Sequence, residues 1–260
     1  MIRLHGLVPV NKPKGITSYD VVARAQREIA KAWEARYRKE FGDRGPWKRL
    51  KVGHGGTLAS VTAASSLKDF SPVAYDVTAL FGSATDTYDA TGQVTEVGPV
   101  RHLTRTKIEI ELEKFKGNGW QKPPMYSALK VAGKPLYQYA RTNKPLPLDR
   151  SLVPRPINIF SIDVLSYNPV STYKHPLSRD STLPSPPAIS PSVSFRVRCG
   201  GGTYMRSLVN DLGENLGTCA HMCDLVRLSQ KDIILGKDTL ELEELEDMDR
   251  IMWAMRRMLG

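Results

Sequence analysis

The sequence predicts an α+β protein, and three observations carry that expectation. Apolar side chains alternate at Tyr75, Val77, Ala79 and Phe81, and again at Val193, Phe195, Val197 and Cys199, the period-two pattern of half-buried strands. Val21, Val22, Ala25, Ile29 and Trp33 recur at helical spacing, as do Leu208, Val209, Leu212 and Leu216. With 260 residues, 41% of them hydrophobic, the chain can bury a full-sized core without covalent staples.

The elements follow in order. After the apolar stretch Leu7-Val8-Pro9-Val10, the run Asn11-Lys12-Pro13-Lys14-Gly15 carries the Pro and Gly of a turn. A helix is expected next, capped by Thr17 with Asp20 three residues on. Gly53-His54-Gly55-Gly56-Thr57 must be a loop. Ile108, Leu112 and Phe115 suit a helix, while Ile108, Ile110 and Leu112 would also suit a strand, and the residues leave both open. Asn168 to Ser192 holds six Pro and six Ser in 25 residues, too little apolar area for a core, and reads as a mobile insertion. Gly200-Gly201-Gly202 precedes a helix from Tyr204 to Leu216, and Glu241 to Asp247 reads most simply as the solvated face of an acidic helix. The expected division is one domain over residues 1–237, with a basic insertion at 24–51 and the Pro/Ser-rich insertion at 168–192, followed by an acidic helical segment over 238–260.

Charge points to an anionic partner. Lysine and arginine number 37 against 27 acids, for a net charge of +10 and a pI near 9.5. From Arg24 to Lys51 there are ten basic and four acidic residues, and from Trp120 to Lys144 five basic and none acidic. Aromatic residues interleave with the second run, which makes a nucleic-acid surface as good a reading as a solvated face. No stretch approaches the roughly 20 apolar residues of a membrane span, and Met1 to His5 lacks a secretory apolar region. The three cysteines, Cys199, Cys219 and Cys223, fit a reducing compartment, so an intracellular protein is expected, with nucleus, cytoplasm and mitochondrion all open.

Several chemistries are excluded by their missing parts. His54-Gly55-Gly56 invites comparison with a lipase oxyanion loop, but no Gly-x-Ser-x-Gly elbow accompanies it. A phosphate-binding Gly-x-x-x-x-Gly-Lys-Ser/Thr loop is absent as well. Cys219-Ala220-His221-Met222-Cys223 lacks the spacing of a zinc pair, so structural cysteines are preferred and no metal site is expected.

The motifs acquire meaning jointly. Asn11 to Ser18, Val52-Gly53-His54-Gly55-Gly56-Thr57-Leu58, and Phe81 to Gly92 with its Thr85-Asp86-Thr87-Tyr88-Asp89 core resemble successive signatures of the TruB pseudouridine synthases. Pro123-Pro124-Met125-Tyr126-Ser127-Ala128-Leu129-Lys130, Tyr137-x-Tyr139-Ala140-Arg141, Gly202 to Leu208, Asp211-Leu212-Gly213 and Leu225-Val226-Arg227 continue the resemblance in the family's order. The basic segment before Lys51 and the Pro/Ser insertion resemble the eukaryotic branch that modifies tRNA directly.

The resemblance implies an α+β catalytic fold, with a mixed, largely antiparallel sheet flanked by helices, that converts uridine 55 in the T-arm of tRNA to pseudouridine. It implies a monomer, no cofactor and no metal, with tRNA as the partner. An RNA-binding cleft is expected between the His54 loop and the segment from Pro123 to Arg141. The target uridine must leave its stack to be reached. By resemblance Tyr75 stacks on the flipped base, although alternation alone equally allows a core residue. By resemblance too, Arg206 holds the catalytic aspartate, and Lys12, His54, Lys130, Tyr137, Arg141 and Arg227 meet the RNA.

At one place the chain departs from the family. Where the family has an aspartate directly after Gly-Gly-Thr-Leu, this sequence reads Leu58-Ala59-Ser60, and Ala59 cannot act as a nucleophile. The segment between Leu58 and Tyr75 is also shorter than the family's, and Arg206 is expected to lack its anionic partner. Asp69, Asp76, Asp86 and Asp89 lie nearby in sequence, none at the family position. Two readings compete: a non-catalytic tRNA-binding relative, or a defective gene model or splice form of an active enzyme. The second is preferred, because a deletion that harms the core while sparing distant motifs has the character of an accident.

Overall fold

The structure, a computed structural model, describes residues 7–41, 52–54, 60–62, 72–142, 152–178 and 180–257, with backbone alone at 39–41, 53–54 and 60–62. In chain order the elements begin with β1 (Leu7–Pro9), α1 (Ser18–Phe41), β2 (Gly53–His54), β3 (Ser60–Thr62), β4 (Val73–Phe81), β5 (Ser83–Thr85) and β6 (Val94–Val97). They continue with α2 (Arg105–Glu113), β7 (Gly117–Gln121), β8 (Lys130–Val131), β9 (Lys134–Pro135) and α3 (Leu136–Thr142). The rest comprises β10 (Arg155–Asn168), β11 (Ser192–Cys199), α4 (Met205–Asn215), β12 (Ala220–Gln230), β13 (Ile233–Ile234), a 3-10 turn at Glu243–Glu246 and α5 (Met248–Arg257). Two compact units result, one built from Met1–Phe70 with Ser229–Gly260 and the other from Ser71–Leu228.

In the first unit, α1 starts where its capping signal predicts. The Asp20 amide donates to Thr17 Oγ1 (3.2 Å) while the Asp20 carboxylate accepts from the Thr17 amide (2.9 Å), which satisfies donors that the first helical turn leaves without partners. Val21, Ala25, Ile29 and Trp33 are buried as their spacing predicts, and Val22 is half-buried. They pack with Leu240, Leu245, Ile251 and Ala254, so the two ends of the chain share one core. A parallel bridge joins Val10 to Leu240, and β1, β3 and β2 form a small antiparallel sheet. The acidic segment at 241–247 differs from the solvated helix that its charges suggest. It is a 3-10 turn whose Leu242 and Leu245 are buried, each contributing about 2 kcal/mol of hydrophobic stabilisation.

In the second unit the sheet order is β12-β4-β11-β10-β7, and the ladders β4–β11, β11–β10 and β10–β7 are antiparallel. With the helices these antiparallel ladders give the α+β arrangement, and outside the strands Asp89 makes an isolated parallel bridge to Met222. β11 is half-buried as its alternation predicts, with Arg196 and Arg198 outward. β4 is not: Ala74, Thr78 and Leu80 on its second face are buried too, because the strand lies between β12 and β11 and those residues are small or apolar. The segment left open between helix and strand is helical. Ile108 and Leu112 are buried at a spacing of four while Ile110 is 57% exposed, and Thr104 caps the helix through the Lys107 amide. No helix among the described residues is long and apolar enough to cross a membrane.

The Pro/Ser-rich insertion is tied to this unit rather than hanging from it. His175 bridges the Ser83 and Ser190 hydroxyls, 2.7 Å from each. Ser190 donates to the Pro187 carbonyl, so it accepts from His175 Nε2–H, and Nδ1 then accepts from Ser83. His221, fully buried, stands beside this network with Nδ1 donating to the Ser83 carbonyl at 2.9 Å. Burial, reinforced by the neighbouring His221, pushes the His175 pKa down to about 4. A histidine depressed in the folded state contributes its full stability above its unfolded value near 6.5 and loses it as pH falls toward 4. The parent chain should therefore lose on the order of 1–2 kcal/mol more than His175→Gln between pH 7 and pH 4, as measured by urea unfolding at intermediate pH values.

Candidate active site

The side chain that joins separate parts of the second unit is Arg206, in the first turn of α4. Its Nη1 donates to the Thr87 carbonyl (3.0 Å) and its Nη2 to the Tyr126 carbonyl (2.8 Å). Asp89 Oδ2 lies 3.5 Å from Nη1, with both side chains about one-fifth exposed. One guanidinium thus joins two sequence motifs, the loop at 86–92 and the run at 123–126.

Each part of that junction has its own support. Asp89 Oδ1 accepts from the Thr91 amide and from Thr87 Oγ1, both at 2.9 Å, which folds the loop around the carboxylate. Tyr88 sits at φ 63°, a strained value for a residue with a Cβ, and its carbonyl accepts from the Met222 amide while the Ala90 amide donates to the Met222 carbonyl, which holds the loop against β12. Gly92 is required there because a Cβ would collide with Thr87 and Asp86. α4 has no side-chain cap of its own. Gln121 supplies the partners instead, accepting from the Tyr204 amide at 2.8 Å and donating to the Tyr204 carbonyl at 3.0 Å, while Ser207 Oγ donates to the Lys122 carbonyl at 2.8 Å.

Tyr75 belongs to a second cluster. Its ring is 9% exposed on β4, and the Arg227 guanidinium carbon lies 5.6 Å from the ring centroid. Burial raises the Tyr75 pKa, and the charge and hydrogen bond of Arg227 work against that rise. A third cluster occupies the β8–β9 hairpin and α3. Lys130 is exposed, and Arg141, also exposed, stands 5.4 Å over the Tyr137 ring.

Comparison with known proteins gives this geometry a family. Residues 59–205 match the N-terminal domain of the TruB family pseudouridylate synthases. The tRNA pseudouridine synthase B of Geobacter sulfurreducens is 33% identical, over 94% of this chain and 70% of that protein. The mouse pseudouridylate synthase TRUB1 is 32% identical, over 99% of this chain and 72% of that protein. The chain belongs to the TruB family. In fold it is similar to a chain in the crystal structure of a Cbf5-Nop10-Gar1 complex, with a TM-score of 0.55 and 21% identity over 97% of this chain and 59% of that one. Bacterial and mouse TruB relatives match at nearly equal identity, so identity does not separate the branches.

Within the second unit the structure brings several of the TruB motifs together. Arg206 lies within reach of Asp89, which corrects the expectation that it has no anionic partner. Tyr75 pairs with Arg227 and Tyr137 with Arg141. In the first unit, the Lys12 ammonium donates to the Pro13 and Ile16 carbonyls, both at 3.0 Å, and so closes its own turn. His54 is described as the backbone of β2 alone, and its side chain, with Ala59, falls outside the described residues. Among the described residues no group of His, Cys, Asp and Glu could hold a metal ion. Burial pushes Cys199 and Cys219 up to about 11 and Cys223 to about 12, which keeps them protonated thiols.

Gln121 carries no signal in the sequence, since its burial and its bonds to Tyr204 exist only in the fold. Gln121→Leu should leave the Tyr204 amide without its acceptor, while the Tyr204 carbonyl keeps the Leu208 amide, and destabilise the protein by about 2 kcal/mol in chemical denaturation. Gln121→Glu, which sets a carboxylate oxygen against the Tyr204 carbonyl at a buried site, should lose at least as much at neutral pH.

Proposed function

We propose that this fold serves tRNA pseudouridine-55 synthesis in the T-arm, as an intracellular monomer, with Arg206 and Tyr75 as the site's two fixed points. The observation that carries this reading is the Arg206 junction. A single guanidinium locks two family motifs in place and presents a cation where a carboxylate has to be held ionised. The relatives named tRNA pseudouridine synthase B and TRUB1 support the substrate class.

The reaction breaks the bond between ribose C1′ and N1, turns the base and rejoins it through C5. A flipped uridine costs a few kcal/mol, which stacking and phosphate contacts offset. Tyr75 supplies the stacking surface, and the exposed basic residues Lys130 and Arg141 supply the phosphate contacts.

A second reading, a T-arm binder without catalysis, is favoured by Ala59 and by the state of Asp89. The Asp89 carboxylate accepts from Thr87 and Thr91 while it faces Arg206, so its oxygens are taken up in holding the loop, and it does not stand directly after Leu58 where the family's nucleophile is expected. The chain as written should therefore isomerise uridine 55 of a T-arm stem-loop at least about 10³-fold more slowly than a version with an Asp-Pro-containing family loop restored between Leu58 and Ser66. Equal turnover by the two proteins would show that another residue serves as nucleophile. Binding has a separate test. Lys130→Glu or Arg141→Glu should weaken tRNA binding and reduce the salt dependence by about one phosphate contact each, and unchanged affinity in both would mean that the basic run is only a solvated face.

A further inference from the structure

We propose that Arg227 is a positioning residue that acts through Tyr75, covering one face of the ring so that an unstacked uracil is received on the opposite face alone. The inference rests on the reading of Tyr75 as the stacking residue. Tyr75 and Arg227 sit on the neighbouring strands β4 and β12, and the guanidinium carbon is 5.6 Å from the ring centroid, within cation–π range. The guanidinium thus holds the ring, and its charge acts on the phenol against the effect of burial.

The sequence placed Arg227 among the residues that meet RNA, and the contrast with Arg141 argues against a phosphate role. Arg141 pairs with Tyr137 at a similar distance, 5.4 Å, but on one exposed face of α3, where its guanidinium can turn to a phosphate. Arg227 is half-buried in the sheet, over a tyrosine that is itself buried. The groups acting on the Tyr75 phenol are Arg227 and the Cys199 thiol, and Cys199 is a protonated thiol with its pKa pushed up to about 11. Arg227 is thus the charge that offsets the effect of burial on the phenol. A ring with a cation on one face offers its other face to a partner.

The test uses the full chain labelled with [¹³Cζ]tyrosine, with the Tyr75 resonance assigned through Tyr75→Phe. Arg227→Gln should move the Tyr75 titration to higher pH, and Arg227→Lys, which keeps the charge, should fall between it and the parent. A T-arm stem-loop carrying 2-aminopurine beside uridine 55 reports flipping. Arg227→Gln should lower that signal about fivefold while changing stem-loop affinity less than about threefold. An unchanged Tyr75 titration, accompanied by a salt dependence reduced by about one phosphate contact, would overturn the proposal and make Arg227 an RNA contact. If Arg227→Gln does not fold, Arg227→Lys carries the same comparison, and a titration and flipping signal identical to the parent's would overturn the proposal. A parent that binds the stem-loop with no 2-aminopurine change overturns the stacking reading itself. A parent and Arg227→Gln that flip equally well overturn only the role of Arg227.

Discussion

A guanidinium has five N–H donors in one plane and keeps its charge at any pH a protein meets, so a partly buried arginine dictates where acceptors must be placed. At Arg206 those acceptors are the Thr87 carbonyl, the Tyr126 carbonyl and the Asp89 carboxylate. They come from two segments far apart in sequence, and each is held by a further set of bonds: Asp89 by Thr87 and Thr91, the start of α4 by Gln121 and Ser207. The strain at Tyr88 is tolerated because Tyr88 and Ala90 are both bonded to the Met222 backbone. Without Arg206 the two segments would lose their common anchor.

That arrangement changes the meaning of the substitution at position 59. A cation left without a counter-charge in a half-buried site would be costly and would tend to open the fold. Asp89 supplies that charge from within the described unit, so the geometry around Arg206 does not depend on an aspartate after Leu58. Holding the architecture and carrying out the isomerisation are separate requirements on the carboxylates of this family. In this chain the first is met, and Ala59 removes the residue to which the resemblance assigns the second.

Tyr75 is a buried strand residue with a charged neighbour. Its alternation with Val77, Ala79 and Phe81 is that of a core strand, and it is buried like one. Yet its neighbour on β12 is a cation rather than another apolar side chain, and the sheet places a charged group beside the phenol. The Pro/Ser-rich insertion is a comparable case. Its composition builds no core, but one histidine between two buried serines fastens it to the strand that leads into the Asp86 loop.

Periodicity and motif order sufficed for much of this protein. The capped start of α1, the buried stripes of α1 and α4, the alternation of β11 and the family membership all rest on residues close in sequence, where local geometry sets the period. The tertiary structure alone decided the rest. Whether Ile108 to Leu112 is helix or strand was settled by which residues found a core to enter, and the second buried face of β4 by the strands beside it. The carboxylate partner of Arg206, the clamp from Gln121 to Tyr204 and the pairing of Tyr75 with Arg227 join residues 83 to 152 positions apart. No local pattern encodes such pairings, because a hydrogen bond or an ion contact is set by distance in space, and that distance exists only once the sheet has brought its strands together.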